Sequence, residues 1–211
     1  MLIDLTIKQF LERVASGEPV PGGGSVAALT AALSASLSEM VARLTLGKKG
    51  DPALDEKMLA LIDAASRLRA RLIDDVDRDS DAYASVMGAY RMPKGSDEEQ
   101  NVRKAAVQDA LKNAARVPFS VAEAGITLLK LARTALMGGK SSAITDGLVA
   151  ALIARSAVIG ALYNVRINLA SISDIAFRED FARRADALEE EAVEMERDIL
   201  SLAGSVIKKQ I

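Results

Sequence analysis

Helical periodicity is the feature that most limits what this chain can fold into. Apolar residues recur at spacings of three and four along nearly all of the 211 residues, and no segment alternates with a period of two. Clusters of proline and glycine divide this pattern into about six segments, several of them very long. The sequence therefore predicts an all-α fold, an elongated up-and-down bundle of about six long helices. We expect residues 1–211 to form a single domain.

Capping signals predict where the helices begin and end. The first helix follows Thr6 and ends by Gly17, and the second begins near Ser25 and ends at the loop 47–50. An N-cap followed by proline starts the third helix, and a capping box starts the fourth. Ser173 is the predicted cap of the sixth. The predicted spans of the last four helices are about 52–90, 97–137, 142–169 and 173–208, with Pro118 kinking the second of these or splitting it in two.

The composition favours close helix packing and self-association. Half of the residues are apolar but only 3% are aromatic, so helices must approach closely to bury enough area. The second helix carries a bulky stripe that includes Leu33 and Met40, and an opposite face of small residues that includes Ala31 and Ala35. We therefore expect this helix to pack on both sides, and the chain to gain from contact with a second copy of itself.

Several classes of function are excluded or disfavoured. Cysteine and histidine are absent, which rules out thiolate nucleophiles, imidazole bases, disulfides and the usual zinc ligands. A net charge of −2 argues against nucleic-acid binding. The uncharged stretch 19–38 contains glycine, proline and hydroxyl residues, so it is not predicted to span a membrane. The sequence begins without a visible targeting signal, and we expect a cytoplasmic protein that needs no metal.

A glycine run and a pair of lysines border the second helix. A helix N-terminus offers free N–H groups and partial positive charge, and ammonium groups add to it, so both loops suit an anionic ligand. The alternatives are a plain tight turn for the glycines, and for the lysines a favourable interaction with the helix dipole. The candidate anion-binding residues are Gly22, Gly23, Gly24, Ser25, Lys48 and Lys49.

One aspartate of the third helix falls on its apolar face. At about 100° per residue, Asp79 lies between Leu72 and Tyr83, whereas Asp77 and Asp81 lie nearly opposite. Burial of a carboxylate raises its pKa and makes it a candidate general acid or base. The alternative is a buried ion pair or a hydrogen bond between helices.

Polar residues also share the small-residue face of the fifth helix. Asn164 and Asn168 are one turn apart and can act together, while Asp146 lies about 27 Å away along the axis. The alternative for the asparagines is hydrogen bonding between helices, and for Asp146 an N-terminal cap.

These motifs together resemble the C-terminal domain family of the formiminotransferase-cyclodeaminases. That family includes formiminotetrahydrofolate cyclodeaminases and methenyltetrahydrofolate cyclohydrolases. The resemblance keeps its order along nearly the whole chain. It is carried by residues 10–11, 21–28, 45–49, 79–83, 86–93, 117–118, 145–151 and 164–169, of which Pro-Gly-Gly-Gly-Ser and Asn-Val-Arg-Ile-Asn-Leu are the specific motifs.

The resemblance implies a homodimer that binds a tetrahydrofolate derivative in a groove near the dimer interface, with no further cofactor. It implies that Asp79 moves protons, that the glycine run and the lysines bind an anionic tail, and that Asp146, Asn164 and Asn168 contact the substrate. The implied reaction closes 5-formiminotetrahydrofolate to 5,10-methenyltetrahydrofolate with release of ammonia. One alternative is hydrolysis of 5,10-methenyltetrahydrofolate to 10-formyltetrahydrofolate. Another is a non-catalytic helical scaffold or assembly protein whose inward polar groups specify a dimer core.

Overall fold

Six α-helices make up nearly all of the fold. The computed structural model describes residues 1–48 and 50–207, and these contain no β-strand. The all-α bundle that the periodicity predicts is therefore confirmed. Short 3₁₀ turns at Leu2–Asp4 and Ser141–Ala143 precede the first and fifth helices. The six helices are α1 Ile7–Val14, α2 Gly23–Thr45, α3 Pro52–Tyr90, α4 Asp97–Gly138, α5 Ile144–Leu169 and α6 Ile175–Ile207.

The predicted caps form at the starts of three helices. Thr6 and Ser96 each complete a reciprocal capping box with the residue three positions on, at the starts of α1 and α4. The Asp51 side chain accepts hydrogen bonds from two backbone amides at the start of α3, where Pro52 is the first helical residue. Helix α2 has no such cap, because its N-cap residue is Gly22.

Two boundary predictions are corrected by the structure. Helix α4 runs unbroken through Pro118, so the proline does not split it, and the alternative of a kink stays a prediction. Helix α6 is capped by Asp174, whose carboxylate accepts the amide hydrogen of Phe177 at 3.0 Å, whereas Ser173 hydrogen-bonds Gln108. The predicted end of α6 at Lys208 lies outside the described residues.

The core is built largely from alanine. Helix α5 packs on α2, α4 and α6, and α2 packs on α3, α4 and α5, so these two helices occupy the centre together with α4. Small side chains let their backbones approach closely, and the Ser34 hydroxyl of α2 donates to the Ala150 carbonyl of α5 at 2.8 Å. The fully buried alanines of the two helices include Ala28, Ala31, Ala35, Ala42, Ala150, Ala154 and Ala161.

The bulky faces of the same two helices point outward. On α2, Leu33 is 53% exposed, and on α5, Tyr163 is 61% and Ile167 69% exposed. The small-residue face of α2 thus packs inside the chain, and its bulky stripe is left uncovered. The exposed large apolar residues of the two helices are Val26, Leu33, Met40, Leu44, Val149, Leu152, Tyr163 and Ile167, which we call the outer stripes.

Two helical stretches, Gly23–Thr45 and Ser141–Leu169, have the length and composition needed to cross a membrane. They correspond to α2 and to α5 with its preceding turn, and central helices of a bundle share this composition. The expectation that residues 19–38 do not span a membrane stays a prediction.

Candidate active site

One cavity brings together most of the residues that the sequence singles out. It measures about 430 Å³ and lies between the N-terminus of α2, the second half of α3, the middle of α4 and the end of α5. The candidate residues in its wall are Gly22, Gly23, Gly24, Asp79, Asn164 and Asn168. Tyr83, Met87 and Tyr90 line one side, which gives the cavity both apolar surface and a carboxyl group.

Asp79 reaches the cavity wall from α3 and meets the start of α2. The Ser25 hydroxyl lies 3.1 Å from Asp79 Oδ2 and 2.9 Å from the Val76 carbonyl, and its single hydrogen has both as acceptors. Ser80 Oγ is 3.3 Å from the same hydroxyl. The Ser25 backbone amide also hydrogen-bonds the Asp79 carboxylate. Asp79 therefore serves as an N-cap for α2 from a different helix, where Gly22 offers no side chain.

Gly24 makes this contact possible. A Cβ atom built at this position would lie 2.0 Å from Asp79 Oδ1 and 2.5 Å from Asp79 Cγ. Any side chain there would displace the carboxyl from the helix N-terminus. Gly23 is similarly close to α5, since a Cβ there would lie 3.2 Å from Asn164 Nδ2. The glycine run is thus needed so that α3 and α5 side chains can reach the α2 backbone.

Burial raises the pKa of the Asp79 carboxyl above its ordinary value. The hydrogen bonds from the Ser25 side chain and backbone lower it, but the loss of solvation is the larger effect. A carboxyl group with a raised pKa holds and releases a proton closer to neutral pH than an exposed one. The site therefore contains one group suited to proton transfer.

Both asparagines that line the cavity donate hydrogen bonds from their side-chain amides to backbone carbonyls. Asn164 Nδ2 donates to the Gly160 carbonyl at 2.8 Å. Asn168 Nδ2 donates to the Asn164 carbonyl at 2.8 Å and to the Ala114 carbonyl at 2.9 Å. Because both amide hydrogens of Asn168 are used by the backbone, its Oδ1 is the part left for a ligand.

Asn168 also supplies a hydrogen-bond donor that helix α4 lacks at its proline. Pro118 has no amide hydrogen, so it cannot donate to the Ala114 carbonyl four residues earlier, as another residue would. The Asn168 amide donates to that carbonyl instead. This hydrogen bond explains how α4 passes through Pro118 without an unpaired carbonyl in the cavity wall.

The other candidate residues of the described chain, Lys48 and Asp146, lie far from this cavity in space. Lys48 follows the C-terminus of α2, and the 23 residues of that helix place it about 33 Å from Gly23. Asp146 lies in the first turn of α5, at the other end of the helix from the asparagines. Lys49 lies outside the described residues. The glycine run and Lys48 therefore cannot bind one small anion within a single chain.

Sequence reasoning missed two buried carboxylates. Asp75 is fully buried on α3 and pairs with Arg71 and Arg78, and Glu39 on α2 pairs with Arg43 and Arg69. The arginines stand three or four residues away in most of these pairs, a spacing that signals ion pairs on a helix. Neither carboxylate lines the cavity with Asp79. Among the described residues, no cluster of three or more acidic side chains is suited to a metal ion.

Comparison with known proteins gives the family. The family model described as formiminotransferase-cyclodeaminase matches residues 6–187. The chain belongs to this family, and the resemblance that the motifs carry is confirmed.

Individual relatives give the extent of the similarity. A formimidoyltransferase-cyclodeaminase of Rattus norvegicus is 37% identical over 191 residues, which are 90% of this chain and 35% of the rat protein. The chain thus spans about a third of the length of that relative. A methenyltetrahydrofolate cyclohydrolase of Methylorubrum extorquens is 36% identical over 187 residues, which are 89% of this chain and 90% of that protein.

A solved structure confirms the architecture. The crystal structure of a formiminotetrahydrofolate cyclodeaminase from Thermotoga maritima superimposes with a TM-score of 0.87 at 29% identity. The match covers 98% of this chain and all of the other.

Proposed function

We propose that this chain is a folate one-carbon enzyme that closes 5-formiminotetrahydrofolate to 5,10-methenyltetrahydrofolate with release of ammonia. The observation that carries the proposal is the position of Asp79. It is a carboxyl group of raised pKa, held against a helix N-terminus, in a cavity that also contains two asparagines. The family to which the chain belongs and the name of its Thermotoga relative support the same reaction.

In this reaction one carboxyl group has two tasks. The N10 nitrogen of the substrate attacks the carbon of the protonated formimino group on N5, and the new bond gives a tetrahedral intermediate that carries an amino group. Asp79 accepts the proton that N10 loses and returns it to the amino group, which leaves as ammonia. A group whose pKa is raised toward neutral suits both transfers. The cavity holds the two nitrogens close to the same carbon and so adds a proximity effect.

The asparagines and the α2 N-terminus bind the substrate in this proposal. The Oδ1 atom of Asn168 accepts hydrogen bonds from N–H groups of the pterin ring. At the start of α2, the Ser25 backbone amide faces the Asp79 carboxylate, and the positive end of the helix stabilises negative charge there. No cofactor beyond the tetrahydrofolate substrate is required, and Asp146 has no role in this single-chain site.

A second candidate reaction is hydrolysis of 5,10-methenyltetrahydrofolate to 10-formyltetrahydrofolate. The observation that favours it is the cyclohydrolase of Methylorubrum extorquens, which matches over 90% of its own length. Asp79 would then remove a proton from water as the oxygen attacks the methenyl carbon. Assays with each folate, followed by the absorbance of the methenyl form, decide between the two reactions. Turnover of neither substrate would contradict both.

We also propose that the chain acts as a cytoplasmic homodimer, without nucleic acid or membrane. The outer stripes of α2 and α5 support the dimer, because these helices pack on each other and leave large apolar side chains uncovered.

A scaffold protein is the contrasting proposal from another class, and ligand binding separates it from an enzyme. A ligand that binds only the native state raises the melting temperature. We expect millimolar 5-formyltetrahydrofolate to raise it by several degrees. An unchanged melting temperature would favour the scaffold.

A further inference from the structure

A second, cationic groove lies next to the cavity. It measures about 640 Å³ and is formed by the end of α3, the loop that follows and the first three turns of α4. Lys94, Arg103 and Lys104 line it together with amide side chains, and none of its described lining residues is acidic. The described wall of the neighbouring cavity contains no lysine or arginine. Positive charge is thus concentrated beside the cavity, outside its wall.

The groove and the cavity are continuous. Tyr90 belongs to the walls of both. On α4, Val107 lines the groove and Leu111, one turn later, lines the cavity. Gln108 of the groove donates a hydrogen bond at 3.3 Å to the carbonyl of Ser171, which lines the cavity. An extended ligand can therefore pass from one to the other along the ring of Tyr90.

Arg103 is held in place at the junction. Its guanidinium donates two hydrogen bonds to the Tyr90 carbonyl, at 2.9 and 3.2 Å, and lies 5.7 Å from the centre of the Tyr90 ring. The nearby Glu99 carboxylate accepts hydrogen bonds from the backbone amides of Gly95 and Ser96. Lys94 and Lys104 form no ion pair with the described acidic residues, so both ammonium groups are available to an anion.

We propose that this groove binds the carboxylate tail of the substrate, while the pterin ring occupies the cavity. The inference rests on the proposed function, since a folate derivative has a flat ring system at one end and glutamate carboxylates at the other. Lys94, Arg103 and Lys104 then bind the anionic end. These groove residues bind the tail in place of Lys48, because the length of α2 keeps Lys48 away from the cavity.

Substrates with one and with three glutamates test the groove. We expect Lys94→Gln/Lys104→Gln to raise KM for the triglutamate about tenfold and KM for the monoglutamate about threefold, because each exposed ion pair contributes only a fewfold. The kcat for both substrates stays at the wild-type value, because neither lysine touches the reacting atoms. The effect on KM also shrinks as salt is raised, because salt screens exposed charges.

The matched control is Lys57→Gln/Lys140→Gln, which removes two exposed lysines, one near the start of α3 and one before α5, that line neither the groove nor the cavity. We expect it to leave both KM values unchanged. Equal KM effects from the two double variants, or none from the groove variant, would overturn the groove while leaving the proposed reaction intact.

A direct binding measurement separates the proposal for the groove from the proposal for the reaction. Calorimetry with 5-formyltetrahydrofolate triglutamate should give a Kd about tenfold weaker for the groove variant than for wild type. Binding with a wild-type Kd would overturn the groove, whatever the assays show. Absence of turnover by the wild-type chain, with binding retained and weakened in the variant, would overturn the reaction and keep the groove.

Discussion

Asp79 and Gly24 form the contact on which the site depends at the scale of single residues. The carboxyl of one helix occupies the space that a side chain on the other would need, and it takes hydrogen bonds from the Ser25 hydroxyl and backbone amide. The raised pKa of Asp79 follows from this burial.

Gly24→Ala should abolish turnover, because the added Cβ would overlap the Asp79 carboxyl. Displacement of a general acid or base typically costs about 100-fold or more. Gly88→Ala is the matched control: Gly88 also lies in a helix, but a Cβ there meets nothing within 4 Å. We expect this control to keep wild-type turnover. Steady-state rates at 25 °C measure both, and full activity of Gly24→Ala would contradict the close approach.

Asp79→Asn should make the protein more stable at neutral pH. The folded-state pKa of Asp79 is raised above the unfolded value, so the folded chain binds the extra proton between the two. Stability therefore falls as pH rises through that window, and the amide avoids this loss. We expect a gain in stability at pH 7 that disappears below the unfolded pKa. Urea unfolding at a series of pH values measures it, and a variant less stable at pH 7 would contradict the burial effect.

At the scale of elements, α4 and α5 depend on each other through one hydrogen bond. Pro118 leaves the Ala114 carbonyl without its usual donor inside α4, and Asn168 of α5 supplies one. The proline in α4 therefore requires the last asparagine of the Asn-Val-Arg-Ile-Asn-Leu motif in α5 as a hydrogen-bond donor. This hydrogen bond lies at the cavity wall, where Ala114 and Asn168 are lining residues.

A double-mutant cycle tests this dependence. Asn168→Ala should destabilise the wild type by about 1–3 kcal/mol, because it leaves the Ala114 carbonyl unpaired. In a Pro118→Ala background the loss should be smaller by about 1 kcal/mol, because the new amide at position 118 donates to that carbonyl. Urea unfolding of the four proteins gives the coupling energy. Equal losses in the two backgrounds would show that Asn168 does not serve the proline.

At the scale of the whole molecule, the fold buries small residues and exposes large ones on helices α2 and α5. Alanines bring α2 and α5 together inside the chain, while Leu33 and Tyr163 on their outer stripes remain more than half exposed. An exposed apolar surface of this kind is typical of a protein interface. The homodimer proposed here would bury it.

Charged substitutions on the outer stripes should therefore separate the dimer. Leu33→Glu and Leu152→Glu place a carboxylate on α2 and on α5, and Val102→Glu is the control on α4, where Val102 is 53% exposed, as Leu33 is. We expect sedimentation to give a monomer mass for the first two and a dimer mass for the control and wild type. A monomeric wild type would contradict the homodimer.

The helices and the carboxyl group could be predicted from the sequence because both depend on local periodicity. The spacing of apolar residues sets the face on which Asp79 lies, and the N-capping residues set where α1, α3 and α4 begin. Lys48 and the glycine run cannot share a site within one chain, because the two loops lie at opposite ends of a long helix. The hydrogen bond from Asn168 to the Ala114 carbonyl joins residues 54 positions apart, and no local pattern reports such a contact. The cationic groove likewise needs the packed structure.

Turnover by Asp79→Asn is the most direct test of the central claim that this carboxyl moves the protons of the reaction. We expect kcat with 5-formiminotetrahydrofolate to fall at least about 100-fold, in a variant whose circular dichroism and urea unfolding show an intact fold. Asp81→Asn, an exposed aspartate of the same helix, should keep the wild-type rate. A rate for Asp79→Asn within roughly threefold of wild type would contradict the acid–base role.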